Sequence, residues 1–345
     1  MSDIHMIPKV DLHCHLDGSL SFDFLGEYSG ISDIDVLRKS VQVDGSQCKS
    51  LVEYLEKFDV PIRCMQTPGS IQTAARTFVE SLAADNIMYA EVRFSPMLLS
   101  TQDLSCRNVL DCVLRGLLEG ESEYGIKTNV ILCAMRHHDL VKNLEVFRLA
   151  KEYLDRGVCA VDLAGDEAKY PTREYRELFA FAVENGIPFT IHSGECGDAD
   201  NIREAIMLGA KRIGHGIAMA HNTELQKLCA DRNVGIEMCP ISNFQTKAVP
   251  NEQDYPICEY LKNGLCVTVN TDNRTVSNTS IEKEFKMLQQ LFGLTEIDFV
   301  QMTRNAVACS FADEKLKLEF QKRIDEYTAS TQERACQSSQ IKRLL

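Results

Sequence analysis

Near its amino terminus the chain reads VDLHCHLDG over residues 10–18. The apolar and β-branched residues that begin this stretch predict a β-strand, and residues two apart along a strand project to the same side. His13 and His15 therefore bring two imidazoles into one space on a stiff backbone. Imidazole is a common zinc ligand, and a catalytic zinc needs several such groups together with a water molecule. The stretch predicts a strand that carries half of a metal site, although two histidines can also simply end a strand.

The composition is that of an ordinary globular protein, with 345 residues, 44% hydrophobic and 25% charged. We find no apolar stretch long enough to span a bilayer and no basic-then-apolar secretion signal. The net charge of −13 opposes non-specific binding to nucleic acid, so we expect neither a nucleic-acid nor a membrane partner. Fourteen cysteines are scattered without a C-x-x-C pair, which predicts a reduced, cytoplasmic chain. The oligomeric state stays open.

Eight apolar runs alternate with stretches of helical periodicity. This alternation predicts parallel strands joined by crossover helices, and eight units predict an α/β fold of the closed (β/α)8 TIM-barrel type. An open doubly wound sheet is the alternative, but neither G-x-G-x-x-G nor G-x-x-x-x-G-K-[ST] occurs. The predicted strands are Lys9–Leu16, Ile87–Phe94, Thr128–Met135, Val158–Ala164, Pro188–His192, Arg212–Ile217, Gly235–Cys239 and Leu265–Asn270.

Residues 17–86 predict a helical insertion after the first strand, because a single crossover needs far fewer residues. Within it, Leu51, Tyr54, Leu55 and Phe58 form an apolar stripe at helical spacing, which fits either extra core packing or a lid at the barrel mouth. We expect one domain over residues 1–345, with a polar tail from about residue 330.

Two helix starts are also predicted. Asn201 is expected to open a helix that runs to Gly209. Thr279, followed three residues later by Glu282, is typical of a capping box.

Polar residues follow several of the predicted strands. In a (β/α)8 barrel the chemistry lies at the carboxyl ends of the strands, so these side chains should meet at one mouth. Three imidazoles and one carboxylate suit zinc or another divalent transition metal. A core histidine or a turn aspartate is the alternative for each residue taken singly. The predicted metal ligands are His13 and His15 from strand one, His192 from strand five and Asp272 from strand eight.

Glu195 and His215 lie close to these ligands in the predicted fold. A carboxyl group in a partly dry pocket has a raised pKa and can deliver a proton to a substrate. His215 could hold or deprotonate a water molecule, whose pKa a metal lowers toward neutrality. The residue types therefore predict hydrolysis at an unactivated carbon centre, but they do not name the substrate.

Six short motifs make the chain similar to the adenosine deaminases of the metal-dependent amidohydrolase superfamily. The resemblance runs from Lys9 to about Asp313. Each motif alone is modestly specific, whereas their order and spacing together are highly specific. They are HCHLDG at 13–18, DLAGDE at 162–167, HSGE at 192–195, GHG at 214–216, MCPISN at 238–243 and NTD at 270–272.

The resemblance implies a single zinc ion bound by the four ligands named above. It also implies that Glu195 protonates N1 of the purine, and that a hydroxide positioned by His215 and Asp272 attacks C6 of adenosine or 2′-deoxyadenosine. Ammonia is lost and inosine or deoxyinosine remains, a reaction that most often serves purine salvage. By the same match, the substrate would contact His15, Asp17, the backbone of Gly165 and Asn273.

Asn273 departs from the best-known members, in which a second aspartate contacts N7 of the purine. An amide donates a hydrogen bond to unprotonated N7, whereas a carboxylate must first carry a proton. Adenine deaminases resemble this pattern but usually carry Glu where Asp17 stands. The alternatives are a deaminase of adenine or of a modified adenosine such as aminofutalosine, another mononuclear metal-dependent amidohydrolase, or a binding protein built on the same fold.

Overall fold

The computed structural model describes residues 4–196 and 198–344, with side chains as far as residue 331. Eight strands alternate with helices along the chain and give an α/β fold. The strands are β1 (Lys9–His15), β2 (Ile87–Phe94), β3 (Lys127–Met135), β4 (Val158–Ala164), β5 (Thr190–Ser193), β6 (Arg212–His215), β7 (Gly235–Met238) and β8 (Cys266–Val269).

Sixteen α-helices occupy most of the remaining described residues. Within this part of the chain no helix combines the length and the apolar character that crossing a membrane requires. The helices are α1 (Phe22–Tyr28), α2 (Ile34–Val41), α3 (Leu51–Leu55), α4 (Asp59–Cys64), α5 (Pro68–Ala84), α6 (Pro96–Leu99), α7 (Cys106–Tyr124), α8 (Leu140–Tyr153), α9 (Arg176–Glu184), α10 (Ala199–Leu208), α11 (Thr223–Asp231), α12 (Pro240–Gln245), α13 (Ile257–Lys262), α14 (Ile281–Phe292), α15 (Glu296–Cys309) and α16 (Glu314–Leu344).

All strand pairs are parallel. The strands form two four-stranded sheets, ordered β1-β2-β3-β4 and β5-β6-β7-β8. Isolated parallel bridges join the sheets on both sides, from Val161 to Phe189 and from Cys14 to Asp272. Nearly every strand residue is buried, as expected when helices cover the outside of a parallel sheet. The carboxyl ends of all eight strands therefore face the same side of the molecule.

The strand predictions are confirmed for all eight strands, with differences at the ends. Ile87–Phe94 and Val158–Ala164 coincide with their predictions. The predicted strand Arg212–Ile217 ends early because His215 and Gly216 take left-handed φ angles of 65° and 67°. The predicted strand Gly235–Cys239 ends at Met238 because Pro240 starts a helix. The other four differ by one or two residues at one or both ends.

Both predicted helix starts are displaced. Helix α10 begins at Ala199, two residues before the predicted Asn201, because Asp198 accepts a hydrogen bond from the backbone of Asp200 and caps the helix. The predicted capping box at Thr279 is wrong. Ser280 caps α14 by accepting from the backbone N–H of Lys283.

The segment predicted as an insertion, residues 17–86, contains helices α1 to α5. Its apolar stripe spans α3 and the 3₁₀ turn Glu56–Phe58 that follows it. The predicted polar tail from about residue 330 belongs to helix α16, which reaches Leu344. Its side chains beyond residue 331 lie outside the described ones. The long helices α5 and α7 pack side by side on the outside of the sheet.

We expect Gly116→Ala to destabilise the packing of α5 against α7. A Cβ atom at Gly116 would lie 2.2 Å from the backbone oxygen of Gln72, which cannot move without shifting α5. Overpacking of this kind costs about 1–3 kcal/mol, so the midpoint of urea unfolding should fall. Gly69→Ala is the matched control, since nothing lies within 4 Å of a Cβ there. Equal midpoints for the two variants would contradict close packing at Gly116.

Candidate metal centre and active site

Four side chains converge at the carboxyl ends of β1, β5 and β8. The ligand atoms of His13, His15, His192 and Asp272 all lie within 4.8 Å of one another. The two Nε2 atoms of His15 and His192 are 3.2 Å apart. Oδ1 of Asp272 lies 3.4 Å from Nε2 of His15 and 3.5 Å from Nε2 of His13. The predicted convergence of these four residues is confirmed.

The donor set fits a tetrahedral metal ion. Ligand atoms about 2.1 Å from a tetrahedral zinc ion lie about 3.4 Å from one another, close to the three separations of 3.2, 3.4 and 3.5 Å given above. Nε2 of His13 is buried and has no hydrogen-bond partner among the described residues. A buried nitrogen without a partner is costly unless something else satisfies it, and a metal ion would do so. His13, His15, His192 and Asp272 are a metal-binding cluster.

A carboxylate lies behind two of the imidazoles. Nδ1 of His13 lies 2.8 Å from Oε2 of Glu237, and Nδ1 of His192 lies 2.8 Å from Oδ2 of Asp162. The hydrogen bond from His13 to Glu237 fixes the proton on Nδ1, so that the Nε2 lone pair of His13 faces the metal position. At His192 the carboxylate makes an ion-pair contact with Nδ1.

Arg93 joins these two carboxylates. Its guanidinium donates to Asp162 at 2.8 Å and to Glu237 at 2.9 Å, and all three side chains are fully buried. On the far side of Glu237, Arg212 donates to the same carboxylate at 2.5 Å. Burial alone would raise the pKa of Asp162, but His192 and Arg93 hold it below its ordinary value. Glu237 likewise has a pKa well below its ordinary value, because Arg93 and Arg212 outweigh its burial.

Asp272 reaches the cluster through a strained backbone. Its φ is 57°, in the left-handed region that non-glycine residues seldom adopt. Two backbone hydrogen bonds to β1 hold it there, from Asp272 N–H to the His13 carbonyl at 2.8 Å and from His15 N–H to the Asp272 carbonyl at 2.7 Å. The hydroxyl of Ser242 donates to its Oδ2 at 2.6 Å. Burial would raise the pKa of Asp272, but the three imidazoles of His13, His15 and His215 keep it below its ordinary value.

Glu195 and His215 lie next to the cluster and are both buried. Nε2 of His215 is 3.6 Å from Oε2 of Glu195. Nδ1 of His215 lies 3.0 Å from the amide nitrogen of Asn243, whose Oδ1 accepts from the hydroxyl of Tyr255. The amide therefore donates to Nδ1, and a neutral His215 carries its proton on Nε2, toward the cavity. Burial lowers the pKa of His215 well below its ordinary value and keeps the ring neutral.

A cavity of about 270 Å³ opens onto the cluster. It is lined by His15, Asp17, Gly165 and Asn273, the residues predicted to bind the substrate, and by Glu195 and His215. His13 is fully buried and does not line the cavity. Residues 17–86 supply a further part of the lining. Apart from Asp17 and Asp59 it is apolar, with Leu51, Tyr54, Leu55, Phe58 and Ile62.

Comparison with known proteins agrees with this geometry. The sequence profile described as adenosine deaminase matches residues 8–327. The chain belongs to the adenosine deaminase family. It is 41% identical to an adenosine deaminase of Clostridium acetobutylicum, over 92% of this chain and 97% of that protein.

Two solved structures of the same fold are informative. An adenine deaminase from Arthrobacter aurescens has a TM-score of 0.85 at 25% identity and covers 94% of this chain and 99% of its own. An amidohydrolase from Burkholderia ambifaria with bound zinc has a TM-score of 0.81 at 20% identity and covers 95% of this chain and 93% of its own. The fold of this member of the adenosine deaminase family is therefore that of the TIM-barrel deaminases.

Several residues around the site were not predicted from the sequence. Glu237 and Arg93 are charged residues within apolar strands, a pattern that indicates a buried ion pair, but their partners lie far away in the chain. Asp162, Ser242 and Asn243 belong to the family motifs, but the sequence alone assigns them no function. In the structure Asp162 lies against His192, Ser242 donates to Asp272, and Asn243 donates to His215.

We expect Asp162→Asn to weaken metal binding. The amide is uncharged, and its NH₂ group must face either Arg93 or the backbone N–H groups of Leu163 and His192, to which Asp162 now presents oxygen atoms. Loss of such a partner typically costs 10–100-fold in metal affinity or activity. Chelator competition followed by metal analysis measures this. Asp139→Asn makes the same chemical change at an exposed helix cap and should leave the affinity unchanged. If Asp162→Asn binds metal as tightly as the control, the carboxylate does not orient His192.

Proposed function

We propose that this chain is a zinc-dependent hydrolase that deaminates adenosine and 2′-deoxyadenosine to inosine and deoxyinosine, with release of ammonia. The observation that carries the proposal is the cluster of three histidines and one aspartate beside a buried carboxyl group, in one cavity of a chain of the adenosine deaminase family. Zinc is the metal of choice because three imidazoles and a carboxylate at these separations suit tetrahedral coordination.

Glu195 is the proton donor in this proposal. Burial first, and then the negative charges of Asp272 and Glu167, raise the pKa of Glu195 well above its ordinary value. The raised pKa favours the protonated carboxyl group, which can give its proton to N1 of the purine and so make C6 more electrophilic. An acid acts only while it is protonated, so kcat is expected to fall as the pH rises through this pKa.

His215 and Asp272 position the water molecule that adds to C6. The neutral His215 ring donates from Nε2 toward the cavity, which suits holding the water oxygen. Asp272 stays ionised and can accept a proton from the water. A bound zinc ion would supply Lewis-acid activation by lowering the pKa of water toward neutrality. After the addition, the amino nitrogen takes up the proton that Asp272 accepted, its bond to C6 breaks and ammonia leaves. The C6 hydroxyl returns a proton to Glu195 and becomes the carbonyl of inosine.

The cavity wall favours a nucleoside over a nucleotide. Asp17, Asp59 and Asp166 line the cavity, and no Lys or Arg does so within the described part of the chain. A 5′-phosphate would therefore meet carboxylates without a compensating cation. Asp17 is buried, with one carboxylate oxygen lacking a partner among the described residues, so it can accept from a ribose hydroxyl. Asn273 can donate to purine N7, and the backbone N–H of Gly165 can contact N3.

The same proposal extends to the architecture. We infer one domain whose eight strands close into a (β/α)8 barrel, supported by the bridges at both seams of the sheets. The insertion 17–86 acts as a lid, because its apolar side chains form one wall of the cavity. Thirteen cysteines in the described residues are free thiols, which supports a reducing, cytoplasmic setting. The role in purine salvage rests on membership of the adenosine deaminase family.

We expect Glu195→Gln to retain the metal but to lose most of the activity, because an amide cannot deliver a proton to N1. Loss of a general acid typically lowers kcat by about 10²–10⁴-fold. Metal analysis and the decrease of adenosine absorbance measure the two effects. Glu184→Gln, on an exposed helix end, is the control. A kcat close to that of the control would remove Glu195 from this role.

A substrate panel tests the proposed function itself. Zinc-loaded protein should convert adenosine and 2′-deoxyadenosine rapidly, whereas adenine and AMP should react at least about 100-fold more slowly in kcat/KM, a difference of about 2.7 kcal/mol. Preference for adenine would instead identify a base deaminase. Efficient turnover of AMP would contradict the argument from the three aspartates.

A further inference from the structure

Glu167 makes an unusual set of contacts beside the active site. Its carboxylate is buried and accepts hydrogen bonds from three consecutive backbone N–H groups, those of Gly194 at 2.6 Å, Glu195 at 3.0 Å and Cys196 at 3.4 Å. Glu167 ends the DLAGDE motif, and neither the metal site nor the substrate contacts give it a role. One carboxylate therefore holds the whole turn that carries the proposed proton donor.

Gly194 makes this arrangement feasible. Its φ is 73°, which turns successive N–H groups toward a common point, as in the backbone nests that bind anions. A Cβ atom there would lie 2.4 Å from Cδ1 of Ile202, so a side chain would be strained and would also clash. Here the carboxylate of Glu167 occupies the position that a bound anion takes in such nests.

Arg136 fixes the start of the same segment. Its guanidinium donates to the carbonyl of His192 at 2.7 Å and to the carbonyl of Tyr170 at 2.5 Å, and it is almost fully buried. Residues 192–196 are thus held by a cation at one end and a carboxylate at the other. No ion pair joins Glu167 to a side chain among the described residues, so its interactions serve this backbone turn.

We propose that Glu167 is a positioning residue that fixes the turn 194–196 and thereby aims the Glu195 carboxyl at the atom it protonates. The inference rests on the proposed function for its catalytic consequence. Charge-assisted bonds to backbone N–H groups are stronger than neutral ones, and three of them define one orientation. Proton transfer requires hydrogen-bond reach, so a small displacement of the donor costs rate even when its chemistry is intact.

The test compares Glu167→Gln with the wild type. Glutamine has the same shape but lacks the charge, and it places an NH₂ group against backbone donors. We expect kcat for adenosine to fall about 10–100-fold because the proton donor is displaced. KM should stay within about twofold and the zinc content should stay full, because no metal ligand and no residue proposed to bind the substrate is changed. Glu167→Asp keeps the charge and should give an intermediate kcat. Glu174→Gln, an exposed residue nearby, is the matched control and should behave as the wild type.

Hydrogen exchange separates this inference from the proposed function. Peptides that cover residues 193–196 should exchange faster in Glu167→Gln than in the wild type and in Glu174→Gln, whether or not the protein acts on adenosine. Unchanged exchange, or a kcat within twofold of wild type, would overturn the positioning role. A loss of activity explained entirely by lost zinc or by a raised KM would overturn it as well. Failure of the wild type on every substrate, together with faster exchange, would overturn only the proposed function.

Discussion

The contact of Arg93 with two carboxylates is the interaction on which the metal centre depends. Asp162 and Glu237 each lie against one metal-binding imidazole, and Arg93 bonds both of them inside the sheet. Buried charges are costly unless they are paired and hydrogen-bonded, and removing one member leaves an uncompensated charge. The network therefore requires five strands to keep a fixed register: β1, β2, β4, β5 and β7. The same demand fixes the imidazole orientations, so the stability of the interior and the geometry of the site come from one set of contacts.

Backbone strain is concentrated at the same place. His215 and Asp272 both have left-handed φ angles, at the carboxyl ends of β6 and beyond β8. Each such residue costs of order 1–3 kcal/mol and persists only where its surroundings determine it strongly. For Asp272 those surroundings are the two backbone bonds to β1 that also link β8 to β1. The same two hydrogen bonds therefore link the two sheets and hold the fourth metal ligand in place.

His13 and His15 could be predicted to lie together because strand periodicity is local. His192 and Asp272 could be predicted to join them because the carboxyl ends of parallel strands meet at one mouth. The network behind them could not, since Arg93 meets Asp162 and Glu237 across sequence separations of 69 and 144 residues. Some ends of helices were predicted wrongly because neighbouring side chains compete to form the capping hydrogen bonds. The hydroxyl of Thr279 bonds the buried carboxyl of Glu284, which leaves Ser280 to cap α14.

Gly18 shows how two motifs distant in sequence constrain each other. A Cβ atom at Gly18 would lie 1.9 Å from Oδ1 of Asn273, so the amide occupies the space that a side chain would fill. Glycine is required here by volume rather than by a left-handed φ. The segment around Gly18 and the segment around Asn273 therefore constrain each other's size. A larger or smaller side chain at residue 273 would first disturb Gly18 and the neighbouring Asp17. Residue 273 is accordingly constrained by its fit against Gly18 as well as by the chemistry of its amide.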